Sequence, residues 1–193
     1  MMPGEGAGRT ARTVTTSTGH TVHLREAVPD DAPQLIRAVD SVAREGAFFL
    51  RSRFEVDEEV ERSFLEAAQQ RGDLVLVAKS EGRIAGWVTL LRGKAEFQQH
   101  IAELGTGVVR DWRGCGVGSA LMECALDWAA ERGIEKVKLG VRAENNRAYA
   151  LYLRFGFEEE GYRVRDVKDP DGGYFDIVEM AWFAPRTGDP DDA

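Results

Sequence analysis

The stretch V-V-R-D-W-R-G-C-G-V-G-S-A-L-M-E-C-A-L-D-W, Val108 to Trp128, decides the fold. Val108 and Val109 read as the close of a strand. Gly114, Gly116 and Gly118 follow at every second position, and Val117, Leu121, Cys124, Ala125 and Trp128 then fall on one helical stripe. The result is a strand, a glycine loop and a helix N-terminus. Without a Cβ, glycine lets the backbone turn tightly and approach a ligand. The N–H groups of the loop and of the first helical turn point outward at the positive end of the helix dipole. No Asp or Glu lies between Arg113 and Met122 to compete for that end. A phosphate group suits the site; the plainer alternative is a glycine loop that only turns a corner.

Composition narrows the classes. A chain of 193 residues is long enough for one domain with a sizeable core and short for two. Hydrophobic residues at 43% and charged residues at 30% are ordinary for a globular protein. No apolar run approaches the roughly 18 residues that span a bilayer, so no membrane partner is expected. The N-terminus lacks the apolar segment of a secretory signal, which makes a cytoplasmic location the default expectation. A net charge of −8 argues against nucleic acid, which is bound by basic faces. Cys115 and Cys124 have neither zinc nor disulfide-framework spacing, and no metal is expected. Cys115 lacks a neighbouring His in sequence to activate it as a nucleophile.

Outward from the loop, residues 1–19 read as a flexible arm and residues 185–193 as a solvated tail, leaving a single domain over 20–184. A strand carries Val22 and Leu24; Pro29-Asp30-Asp31 stops it and caps a helix over 31–44. An aromatic loop with interleaved arginines, Gly46 to Phe54, leads to a second helix that starts near Asp57 and ends near Gly72. Strands follow at 74–79, 83–91 and 101–109, antiparallel because their connections are short. The helix after the glycine loop ends near Gly133, and a strand at 136–141 should run parallel to 101–109, since a strand-helix-strand crossover joins them. A short helix opens at Asn145 or Asn146 and closes at Gly156. Two last strands flank the turn Asp169–Gly173.

This order, β-α-α-β-β-β-α-β-α-β-β, is an α/β fold with a mixed α+β sheet. With two motifs, it resembles the GNAT superfamily of N-acetyltransferases. Arg113-Gly114-Cys115-Gly116-Val117-Gly118 fits the Q/R-x-x-G-x-G/A pyrophosphate loop. Asn146-Arg147-Ala148-Tyr149-Ala150-Leu151-Tyr152 through Phe155-Gly156-Phe157 fits N-x-x-A-x-x-L-Y-x-x-x-G-F. In detail the chain is similar to bacterial enzymes that acetylate amino acids and small amines. A dinucleotide-binding fold fits less well: Ser119 replaces the third glycine, Glu144 falls about ten residues too far along, and antiparallel strands precede the loop.

The resemblance implies acetyl-CoA as co-substrate and a central strand pair that splays. Val108 and Val109 would pair with the pantetheine arm, Arg113, Gly114, Cys115, Gly116, Val117, Gly118 and Ser119 would hold the pyrophosphate, and Asn146 would bond the pantetheine. Tyr152 would be the general acid, or else a core tyrosine on its helix. Glu103 would be the base through a water, or else a cross-sheet ion pair. For the acceptor, Phe49 would wall an apolar pocket and Arg51 or Arg53 would grip a carboxylate, unless those arginines are surface residues of a core-covering loop. The implied reaction is acetyl transfer to a small primary amine, an amino acid or analogue. Protein or peptide N-acetylation and non-catalytic acyl-CoA binding are the alternatives, and a homodimer is compatible with the family.

Overall fold

The computed structural model describes residues 11–185; residues 1–10 of the expected arm and 186–193 of the expected tail lie outside the described residues. The strands are β1 (Arg12–Thr15), β2 (Thr21–Glu26), β3 (Leu74–Ser80), β4 (Arg83–Arg92), β5 (Ile101–Val108), β6 (Lys136–Arg142), β7 (Glu158–Lys168) and β8 (Tyr174–Phe183). The helices are α1 (Ala32–Ala43), α2 (Glu58–Arg71), α3 (Val117–Glu131) and α4 (Asn146–Arg154). All eight strands join one sheet in the order β1-β2-β3-β4-β5-β6-β8-β7. The pair β5–β6 is parallel and every other neighbouring pair is antiparallel.

Two apolar layers sandwich the sheet. In β3, Leu74, Leu76 and Ala78 pack with α3, whereas Val75 and Val77 pack with α1 and α2. Burial on both faces is why this strand reads as a continuous apolar run instead of alternating. Phe157, directly after the turn at Gly156, is buried with Met180 and Tyr152 in the α3 layer.

Two local expectations change. Residues 12–15 of the expected arm form β1, an edge strand in register with β2 at Val14↔Val22. Val14 packs on the α3 layer, and Arg12 Nη2 donates to Asp127 Oδ2 on α3 at 2.5 Å. The alternation in R-T-V-T is too short to stand out from its polar surroundings, and the neighbouring strand supplies the pairing. At α1 the carboxylate of Asp31 does not cap the helix. It is buried and accepts from Arg25 Nη1 and Nη2, Lys79 Nζ and the Val28 N–H. Asp57 does cap α2, accepting from the Glu59 N–H at 2.9 Å, and Gly72 ends that helix at φ 71°.

Candidate active site

Strands β5 and β6 are in register only at Ile101↔Lys136, Ala102↔Val137 and Glu103↔Lys138, then part. The antiparallel ladder to β4 is bracketed by Gly93 N–H to Ile101 O and Val109 N–H to Ala85 O, both 2.9 Å. Hydrogen-bonded pairs recur every second residue in such a ladder. Glu103, Gly105, Gly107 and Val109 therefore turn their main-chain groups to β4, and Leu104, Thr106 and Val108 turn theirs toward the gap. Leu104 still pairs with β6 through its N–H and the Val108 carbonyl accepts from Arg113 Nε, so the Leu104 carbonyl, both groups of Thr106 and the Val108 N–H are what the strand presents to the cleft, which suits an extended ligand that pairs as a strand does.

The cleft, about 950 Å³, runs from that gap to the glycine loop. Gly114 (φ 80°) and Gly116 (φ 102°) take backbone angles that side chains disfavour, and Gly116 is the N-cap of α3. The first main-chain bond into the helix is Ala120 N–H to Gly116 O at 3.0 Å, which leaves the N–H groups of Val117, Gly118 and Ser119 without helical partners. From α4, a Cβ placed on Gly114 would stand 3.1 Å from Arg147 Nη2, and Arg154 Nη2 donates to Ser119 Oγ at 2.6 Å. Arg147 forms no ion pair among the described residues. Among the described residues, those that line the cleft include three arginines (Arg113, Arg147, Arg154) and no carboxylate, although the chain carries a net charge of −8. Loop N–H groups, a helix N-terminus and unopposed cations together favour a polyanion.

Several expected residues meet there. Val108, Gly114, Cys115, Gly116, Gly118, Ser119, Tyr152 and Phe49 all line the cleft. Tyr152 is buried, its ring 5.7 Å from Phe157, and burial pushes its hydroxyl up to about 12. Phe49 lies tilted against Trp87 at 6.1 Å. Cys115 is buried, its thiol donating to Trp112 O at 3.0 Å, which fits a loop residue better than a nucleophile.

Other expected residues are placed differently. Val109 bonds back to Ala85 and packs with the α1–α2 layer, and the Val117 side chain is buried in the α3 layer, so only its N–H is available. Arg113 lines the cleft, but its guanidinium is committed: Nη1 and Nη2 grip Glu45 at 2.8 and 2.6 Å, and Nε donates to Val108 O at 2.8 Å. Asn146 is exposed and outside the cleft lining. Asn145 takes its place, lining the cleft and capping α4 by accepting from the Ala148 N–H at 3.2 Å. Counting back three residues from Ala148 in N-x-x-A reaches Asn145, so the sequence did contain the right register.

Glu103 occupies the last paired register before the strands part. Its carboxylate is exposed, 3.8 Å from Lys138 Nζ, and outside the cleft lining. Arg51 and Arg53 are exposed on the loop after α1, outside the lining, with Arg53 paired to Glu55 at 2.8 Å. That loop turns Arg51 and Arg53 to solvent and Phe48 and Phe49 to the cleft. Sequence reasoning missed Arg147 and Arg154. Their signal was a seven-residue spacing, two helical turns, that puts both cations on one side of α4. Thr15 and Ser17 also line the cleft, and the Ser17 N–H donates to Cys115 O at 3.0 Å. Among the described residues, no group of three His, Cys, Asp or Glu side chains could hold a metal ion, and no helix is long and apolar enough to cross a membrane.

A profile of the acetyltransferase (GNAT) family matches residues 40–157. The chain belongs to that family. The GNAT match runs from late α1 to Phe157, so it takes in the splay, the glycine loop and Tyr152 and leaves β1 and β2 outside. Among curated relatives, the mycothiol acetyltransferase of Clavibacter sepedonicus is 33% identical over 150 residues, covering 75% of this chain and 45% of its own. The L-amino acid N-acetyltransferase AaaT of Escherichia coli (strain K12) is 31% identical over 122 residues, covering 59% of this chain and 70% of its own. The crystal structure of a GNAT-family acetyltransferase from Streptococcus pneumoniae superposes with a TM-score of 0.80 at 29% identity, covering 84% of this chain and 99% of its own. This chain thus spans less than half the length of the mycothiol acetyltransferase that it matches.

Proposed function

We propose that the protein transfers the acetyl group of acetyl-CoA to the primary amine of a small molecule, of the amino-acid class. The observation that carries the donor half is the cleft itself: a strand edge with free main-chain groups leads into a glycine loop whose surroundings hold arginines and no carboxylate. Leu104 and Thr106 offer main-chain groups to an amide-bearing arm. The loop N–H groups and Arg147, with Arg154 beside Ser119, offer donors to its phosphates. Two relatives whose names specify mycothiol and L-amino acids support a small acceptor.

Acetyl-CoA supplies an activated acyl carbon. The chain's part is to polarise, position and protonate. The Val108 N–H faces the gap and serves as donor to the oxygen that gains charge as the amine adds. The Tyr152 hydroxyl, which burial keeps protonated well beyond the neutral range, delivers a proton to the departing thiolate, and the proton lost by the attacking nitrogen restores it. Among the described residues the lining holds no carboxylate to act as base. The acceptor therefore enters as free amine or sheds its proton to solvent, and the rate rises with pH as the amine deprotonates.

The test is thiol release from acetyl-CoA against amino acids, polyamines, aminoglycosides and peptides. Saturable release with a small amine is the expected result. Better turnover of peptide N-termini would move the acceptor to the peptide class, and tight acetyl-CoA binding with no release on any amine would leave only an acyl-CoA-binding role.

A further inference from the structure

Arg113 reaches three different parts of the site. Its fork grips the Glu45 carboxylate through two bonds, its Nε holds the Val108 carbonyl at the end of β5, and its guanidinium lies 4.7 Å from the centre of the Phe48 ring. Glu45 comes just after Arg44, the C-cap of α1, where the carbonyl end of a helix carries partial negative charge and disfavours a carboxylate. Arg113 offsets that: its hydrogen bonds outweigh the effect of burial and hold the Glu45 carboxyl below its ordinary range. The next residue is tied down as well. Arg142, buried and stacked 3.4 Å over Phe175, donates Nη1 to Gly46 O at 2.6 Å. Arg113, at the start of the glycine loop, and Arg142, at the end of β6, thus clamp two consecutive residues at the root of the loop that carries Phe48 and Phe49 into the cleft.

We propose that Glu45 is a positioning residue: through Arg113 it locks the Phe48–Phe49 wall to the end of β5 and so sets the width of the acceptor end of the cleft. The placement rests on the acetyl-transfer reading only in calling that end the acceptor end. It assigns the Arg113 side chain to this lock and leaves phosphate binding to the loop N–H groups and the arginines of α4. Glu45 is itself no base, since its carboxylate is committed to Arg113 and lies outside the cleft lining.

Glu45→Gln keeps the size and removes the charge. In the intact chain, trypsin cleavage after Arg51 and Arg53, on the exposed part of the loop, should accelerate about tenfold while cleavage elsewhere keeps its rate, the scale expected when one charge-assisted clamp opens locally. The KM for the amine should rise about tenfold, and the acetyl-CoA Kd should change less than about twofold, because only the acceptor wall moves. Glu45→Asp, which keeps the charge but shortens the reach, gives the same readouts should Glu45→Gln not fold. Unchanged loop proteolysis overturns the lock, as does an equal rise in the amine KM and the acetyl-CoA Kd. If the wild-type chain transfers acetyl to no amine, the functional reading fails by itself, and the proteolysis still decides the lock.

Discussion

Tyr152 has two readings in the sequence, a core residue of α4 and an acid aimed at the cleft, and the structure gives it both settings. Its ring is buried beside Phe157, and the residue also borders the cleft. Tyr152→Phe keeps the ring, so it separates packing from proton transfer. The kcat should fall by about 10²-fold with the acetyl-CoA Kd little changed, the scale of losing one general acid; an unaltered kcat assigns the residue to the core alone. The raised hydroxyl pKa, about 12, has a stability consequence of definite sign. An unfolded chain releases this proton near pH 10 and the folded chain near 12, so stability is intact below pH 10 and declines between the two. Denaturant titrations over that range should show a smaller decline in Tyr152→Phe. The arginines teach the opposite lesson. Arg113 occupies the motif position and faces the loop, yet its fork is occupied by a residue 68 positions away. Arg147, which no motif marks, has its charge unopposed among the described residues.

Among the elements, α1 shows a cap signal diverted to a different use. Asp31 stands where an N-cap belongs, but its carboxylate joins the helix entrance to β2 and β3 through Arg25 and Lys79. Burial alone would raise its pKa; the bonds from Arg25, the Val28 N–H and Lys79 outweigh it and bring the value to about 2. The folded pKa is depressed, so the stabilisation is present above the unfolded value of 3.8 and is lost as pH falls toward 2. The shift corresponds to about 2 kcal/mol. Asp31→Asn should therefore destabilise the chain by about that amount or more at pH 7 and flatten the acid limb between pH 4 and 2, read by urea unfolding. An acid limb identical to wild type would place the sensitivity in other carboxylates. The strand pair β5–β6 shows a second limit at this scale. Periodicity reveals two strands and their crossover makes them parallel, but both read as complete strands, and nothing in either marks Glu103↔Lys138 as the last shared register.

At the scale of the molecule, the cleft joins segments far apart in the chain. The β1–β2 turn reaches the glycine loop through the Ser17 N–H and Cys115 O, with His20 edge-on to Trp112 at 5.3 Å, and β1 is tied to α3 by Arg12 and Asp127. Removing residues 1–16 should lower the Tm by about 3–8 °C, equivalent to losing an edge strand worth a few kcal/mol, and weaken acetyl-CoA binding several-fold. Unchanged Tm and Kd would make β1 a passive cover. The sequence by itself determined what short-range physics controls: strand alternation, helical stripes, the helix start near Asp57, the glycines of the loop, and hence the family and the element order from β2 onward. Each of those is written in residues within a turn or two of one another. Tertiary structure alone decided that the strands part after Glu103, that Glu103 faces Lys138 instead of the cleft, and that Arg113 answers to Glu45. Each of these depends on which distant side chains folding brings within hydrogen-bond reach, and local periodicity carries no record of that.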